Sequence, residues 1–179
     1  MTGKLRILTV VVPVIALLLA VVLVPRSAMA GVVGIAQASP PTDASATFTQ
    51  TEITDLEISF AGPNVILEQT HVGTVSGTLS GSCEESIRVV IHPNGRFNAQ
   101  GTNTCDFTVE GKSGVVELVI VTTGQIVSPD TAIFAGNAVI TGGTGELSGL
   151  RGVFTLEGIV DIPSGLSTVT YSGQIHFHP

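Results

Sequence analysis

From Thr47 onward, apolar and polar positions alternate with period two, and Gly-, Pro- or Asn-rich turns interrupt the alternation. This is the pattern of strands with one buried and one wetted face. It predicts strands over Thr47–Ile53, Leu56–Phe60, Val65–Leu79, Ser86–His92, Arg96–Val109, Val115–Thr123, Ala132–Thr141, Gly152–Val160 and Thr168–Phe177. The longer runs are expected to bend or split at Gly73, Gly77 and Gly101. No 3.6-residue apolar period persists for three turns, so no long helix is expected. About eight antiparallel strands in one body point to an all-β barrel or sandwich.

One hairpin can be placed in register. His92-Pro93-Asn94-Gly95-Arg96 suits a three-residue loop, with proline fixing φ at the first position and glycine supplying the left-handed third. Ile91 then faces Phe97, Val89 faces Ala99, Glu85 faces Asn103 and Cys83 faces Cys105. The cysteines fall at a non-hydrogen-bonded pair, where Cα atoms lie about 4.5 Å apart, and a disulfide accepts that separation. A Cys83–Cys105 bridge is expected unless a bulge at Gly101 shifts the register. The same register turns Cys83, Ile87, Val89, Ile91, Phe97 and Cys105 inward, and Arg88, His92, Arg96, Asn98 and Gln100 outward. In the last strand Val169, Tyr171, Ile175 and Phe177 point in, while Thr170, Ser172, Gln174 and His176 point out. Val116, Leu118 and Ile120 are taken as inward, leaving Val119 and Val121 outside as a possible subunit contact in a homo-oligomer.

The first 38 residues read as an address. Lys4 and Arg6 precede an apolar run from Ile7 to Val24, followed by Ala28-Met29-Ala30. This is the order of a secretory signal peptide cleaved after Ala30, or after Ala38 at the second small-residue pattern Ala36-Gln37-Ala38. An uncleaved N-terminal anchor is the alternative, because the run is nearly long enough to span a bilayer. Both readings place the rest of the chain outside the cytoplasm, with no membrane contact once a signal is removed. Residues 39–46, SPPTDASA, have the composition of a flexible leader, and residues 47–179 are expected to form a single barrel domain. Export also favours the disulfide.

Composition narrows the partners. The chain has 21 glycines, no tryptophan and 12% charged residues. After the address, four basic residues stand against 14 acidic ones, which excludes a nucleic-acid groove. Gly142-Gly143-Thr144-Gly145 lacks the Gly-Lys-Ser/Thr ending and following helix of a phosphate loop, and reads as a turn. His176 and His178 flank one strand position on a polar face with no third ligand nearby in sequence, so no metal is expected. His71 and His92 are read as surface residues. Gly145-Glu146-Leu147-Ser148-Gly149 lacks the Gly-x-Ser-x-Gly nucleophile elbow, and bridged cysteines leave no reactive thiol. Three polar groups remain on inward faces: Glu85, Asn103 and Tyr171. Buried polar groups need partners; Glu85 and Asn103 are expected either to satisfy each other or to contact a ligand.

The stretch Asn137–Gly152, with its Gly-Gly-Thr-Gly turn and Arg151-Gly152 leading into a further strand, resembles the allene oxide cyclase and dirigent protein barrels. It is still more similar to an uncharacterised bacterial family of domains of unknown function within that superfamily. The similarity rests on the Arg88–Arg96 hairpin, the Val109–Gly114 turn and the Thr144–Gly152 stretch, in that order. The resemblance spans about residues 70–178 and implies an eight-stranded antiparallel barrel, lipocalin-like (calycin-like) in shape. No catalytic position of the cyclase matches residue by residue, so none is carried over. The resulting expectation is a secreted barrel binding a small apolar molecule in its lumen, with Glu85, Asn103 and Tyr171 as contacts and no cofactor. A cyclase- or isomerase-like lumen enzyme and a non-catalytic structural or interaction protein are the alternatives.

Overall fold

The computed structural model describes residues 38–178. The expected signal peptide falls almost wholly on residues 1–37, outside the described residues. Eight strands follow one another: β1 (Thr42–Ala61), β2 (Asn64–Gly77), β3 (Leu79–Ile91), β4 (Arg96–Val109), β5 (Lys112–Ser128), β6 (Thr131–Gly143), β7 (Leu150–Asp161) and β8 (Leu166–Phe177). Each pairs antiparallel with the next, and β1 pairs with β8 to close the barrel. Among the described residues the one helical element is a single 3-10 turn, Gly145–Leu147. Closure leaves no free ladder along most of the wall.

Two expectations are corrected. The first two predicted runs are one strand, carried across Thr54–Asp55 by register shifts at Gln50/Glu52 and Ile53/Asp55. These irregularities absorb the break in alternation that reads as a loop in the sequence. The residues expected as a flexible leader are also partly strand: Thr42–Thr49 pair with Ile175–Thr168 of β8. Ala44 and Ala46 are buried there, so small side chains that look like linker composition are seats in a closed barrel. Gly73 and Gly101 lie inside continuous strands, whereas Gly77 ends β2.

The β3–β4 register is the one expected, from Ile91↔Phe97 through Glu85↔Asn103 to Cys83↔Cys105, with Gly101 unbulged opposite Ile87. Gly95 carries the turn at φ 77°, a region costly for residues with a Cβ. Cys83 and Cys105 form a disulfide with Cα atoms 4.1 Å apart.

Strand order places four hairpins, β1–β2, β3–β4, β5–β6 and β7–β8, at one end of the barrel, and the other three connections at the opposite end. The latter end is filled. Val109, Val116, Ile140, Leu147 and Leu150 are fully buried there, Leu147 being delivered by the 3-10 turn. Burying each such leucine is worth about 1.5–3 kcal/mol.

Candidate functional site

Inward alternation along β1, β2 and β3 delivers Gln50, His71 and Glu85 to one place in the lumen. They are 6, 2 and 6% exposed. Gln50 sits where β1 leaves β8: the last β1–β8 pair is Thr49↔Thr168, and the next β8 amide, Ser167 N–H, donates to Gln50 Oε1 at 2.9 Å. That contact fixes which end of the amide faces the lumen. Gln50 Nε2 therefore donates to Glu85 Oε2 at 2.8 Å and to His71 Nδ1 at 2.7 Å. Because Nδ1 accepts, the neutral His71 ring carries its proton on Nε2. Nε2 is buried and has no partner among the described residues. Glu85 Oε2 lies 3.4 Å from His71 Nδ1 as well, so the carboxylate, amide and imidazole form one cluster.

These three residues border a lumen space of about 70 Å³ together with Phe97, Phe134 and Tyr171. A second space of about 20 Å³ is bordered by Asn103, Phe154, Tyr171 and the Cys83–Cys105 bridge. Tyr171 touches both, its ring edge-on to Phe154 with centroids 6.2 Å apart. Burial pushes the Tyr171 hydroxyl well above its ordinary pKa, and the nearby Glu85 charge pushes it further the same way. The phenol thus stays neutral and able to donate.

All three sequence-predicted residues, Glu85, Asn103 and Tyr171, are buried and inward. They are not brought together as one set. Glu85 and Asn103 are register partners, yet Glu85 turns to Gln50 and His71, and Asn103 Oδ1 is buried without a partner. The Glu85 carboxylate, the stronger acceptor, is taken by the Gln50 amide donor from β1.

The surface reading of His71 is wrong: it is buried opposite Glu85 across β2–β3. Gln50 was not singled out either. Alternation through Val65, Leu67, Gln69, His71, Gly73 and Val75 carries the signal for His71. Gln50 becomes legible only with the β1 irregularity and the β8 partner. His92 is half-buried, accepting from Asn98 Nδ2 at 3.2 Å and donating through Nδ1 to Asn64 Oδ1 at 3.1 Å. Among the described residues no group of three or more His, Cys, Asp or Glu is placed to hold a metal.

No protein-family model matches the chain, and no curated protein matches it. Solved structures do. A protein of unknown function from the DUF3224 family of Shewanella oneidensis MR-1 superposes with a TM-score of 0.56 at 16% identity, covering 78% of this chain and 99% of that one. The chain has the DUF3224 barrel fold. Two pterocarpan synthase dirigent proteins match at TM-scores of 0.48 and 0.49, with 16 and 15% identity, over 79 and 80% of this chain and 90 and 99% of theirs. A closed eight-stranded barrel of that fold is the scaffold on which this lumen cluster is built. At such identities the likeness speaks for the fold and leaves function to the site.

Proposed function

We propose that this DUF3224-type barrel is an exported protein that binds the hydroxyl- or carbonyl-bearing end of a small, mainly apolar molecule in its lumen. One observation supports the reading: a mainly apolar interior holds a fixed Gln50–His71–Glu85 cluster beside a space that Tyr171 also borders. Apolar walls with a few placed polar groups are the usual make-up of a small-molecule pocket. Glu85 accepts, the Tyr171 hydroxyl donates or accepts, and His71 Nε2–H is a buried donor without a partner among the described residues. An unsatisfied buried group costs about 1–3 kcal/mol, which a ligand or water oxygen relieves.

Size restricts the ligand. The space of about 70 Å³ is roughly half the ~150 Å³ apolar cavity that takes benzene. Only the polar end of a ligand fits without movement, and its apolar remainder leans on half-buried Leu67, Ile87 and Val89 toward the four-hairpin end. Export is supported by the Cys83–Cys105 bridge, and no described helix is long and apolar enough to cross a membrane.

Calorimetric titration with cyclohexanol and cyclohexanone tests the proposal. Binding that weakens at least tenfold in Glu85→Gln and Tyr171→Phe, and is unchanged in His176→Ala, is expected. Equal binding by all four proteins rejects the lumen as the site. A second reading, a non-catalytic structural or interaction barrel, draws on the small size of the two spaces, about 70 and 20 Å³, against roughly 300 Å³ or more for common ligand pockets. Absence of heat with either probe favours it.

A further inference from the structure

The polarity of the lumen cluster is set from its backbone end. Ser167 N–H can only donate, and it donates to Gln50 Oε1 at 2.9 Å. Turning the Gln50 amide over would place its NH2 against Ser167 N–H. It would also place the amide oxygen against Glu85 Oε2, which now lies 2.8 Å from Nε2. Both contacts would set like against like, so the amide has one orientation. Gln50 Nε2 therefore donates to His71 Nδ1 at 2.7 Å, and the 3.4 Å approach of that ring nitrogen to Glu85 Oε2 is the longer contact. The ring proton sits on Nε2, which is buried without a partner among the described residues. A backbone N–H thus fixes, through two side chains, a donor on a residue that borders the space of about 70 Å³.

We propose, on the reading that the lumen binds a small molecule, that the group it takes is a hydroxyl and that Gln50 is the positioning residue that makes it so. His71 Nε2–H only donates and Glu85 only accepts, while the Tyr171 hydroxyl does either and follows its neighbour. A carbonyl satisfies His71 but turns a second acceptor toward Glu85. An ammonium satisfies Glu85 but turns a second donor toward His71. A carboxylate adds a negative charge to the one already there. A hydroxyl accepts from His71 and donates to Glu85 through one oxygen. An N–H···O bond of about 2.9 Å and an O–H···O bond of about 2.7 Å span roughly 5.6 Å end to end. Glu85 Oε2 lies 3.4 Å from His71 Nδ1, and Nε2 is one ring carbon beyond, so the two groups stand within that span.

Size and water favour the same group. A hydroxyl is the smallest head that donates and accepts on one atom, and a space of about 70 Å³ leaves little room for a carboxamide or a carboxylic acid. Water meets the same two demands, and a ligand displaces an ordered water without loss only when it reproduces that water's hydrogen bonds. A site built to hydrogen-bond a hydroxyl rejects the analogue lacking it far more strongly than an apolar pocket rejects a changed methylene, because its own buried groups are left unpaired. Asn103, the other residue with a buried unpartnered atom among the described residues, borders the separate space of about 20 Å³ and does not enter the selection.

Nuclear magnetic resonance of nitrogen-labelled protein reads the ring directly. His71, picked out among the 4 histidines of the chain by the signals lost in His71→Gln, is expected to show a protonated Nε2 and a bare Nδ1. A proton on Nδ1 overturns the assignment. Calorimetric titration at neutral pH then compares cyclohexanol, cyclohexanone and cyclohexylammonium, which share one ring. Cyclohexanol is expected to bind about tenfold or more tighter than the other two, on the order of one buried group left unpaired. Equal or tighter binding of cyclohexanone or cyclohexylammonium, still weakened by Tyr171→Phe, overturns the hydroxyl and leaves the lumen as the site. No heat with any probe, or heats indifferent to Tyr171→Phe, is failure of the lumen reading and takes the hydroxyl with it. In Gln50→Ala the ring proton moves to Nδ1 and Nε2 becomes an acceptor, so cyclohexanone is expected to weaken more than cyclohexanol, by about threefold or more. Equal losses for both probes overturn the positioning role of Gln50. If that variant does not fold, the ring proton and the probe preference of the unsubstituted protein still decide.

Discussion

Replacing Gln50 with alanine removes three hydrogen bonds at once and exposes how the cluster is held. Ser167 N–H loses its acceptor at 2.9 Å, and Glu85 and His71 lose a shared donor at 2.8 and 2.7 Å. An orphaned buried N–H costs about 1–3 kcal/mol, and a hydrogen bond to a charged group is worth about 1.5–3 kcal/mol. Part of this is recovered. His71 can move its proton to Nδ1 and donate to Glu85, now 3.4 Å away, and water can occupy the adjoining space, which exceeds the 10–15 Å³ or so that one water needs. The net expectation is about 2–4 kcal/mol. With a urea m-value of about 2 kcal/mol/M, the unfolding midpoint falls by about 1–2 M. Paired with Glu85→Gln in a double-mutant cycle, the coupling should exceed about 0.5 kcal/mol, as expected for groups in one network. A midpoint change worth less than about 0.5 kcal/mol, or strict additivity, refutes the account of Gln50 as the piece that ties β8 to the cluster.

Removing the disulfide as Cys83→Ser/Cys105→Ser is expected to cost roughly 3 kcal/mol in the chain-entropy account, read by thermal or urea unfolding; no loss contradicts it. Leu147→Ala should cost about 2–5 kcal/mol, since Leu147 is fully buried, and a surface-like effect below about 1 kcal/mol would show that the 3-10 turn does not seal that end. Tyr171 is the one tyrosine in a chain without tryptophan, so ultraviolet absorbance titrates it alone. Its folded pKa is raised above the ordinary value of 10.0, so its contribution to stability is complete below pH 10 and is lost as pH rises further and the unfolded chain gives up the proton. Tyrosinate is expected to appear only together with loss of strand circular dichroism; ionisation near pH 10 in the folded barrel contradicts the burial.

The barrel was legible because period-two alternation and turn residues carry it directly. Pro93-Asn94-Gly95 set a register that ran unshifted to Cys83↔Cys105, including past Gly101. The inward faces of β3, β4 and β8 followed from counting by twos, which brought Glu85, Asn103 and Tyr171 into the lumen. What resisted was anything dependent on non-adjacent strands. Closure through Thr42–Thr49 uses small and polar residues indistinguishable in composition from a leader. Gln50 acquires its role from an irregularity in β1 and from Ser167, 117 positions away. Glu85 chose between Asn103 on β4 and His71 on β2, and register alone does not rank two neighbours.

Native mass spectrometry of the protein purified without denaturation measures the central claim, that the lumen beside Gln50, His71 and Glu85 holds a small molecule. The expected result is a bound mass of one small organic molecule per chain, kept in His176→Ala and lost in Tyr171→Trp, whose larger ring fills the space. A polypeptide mass alone, or an adduct that survives Tyr171→Trp and Glu85→Gln but disappears with His176→Ala, contradicts it.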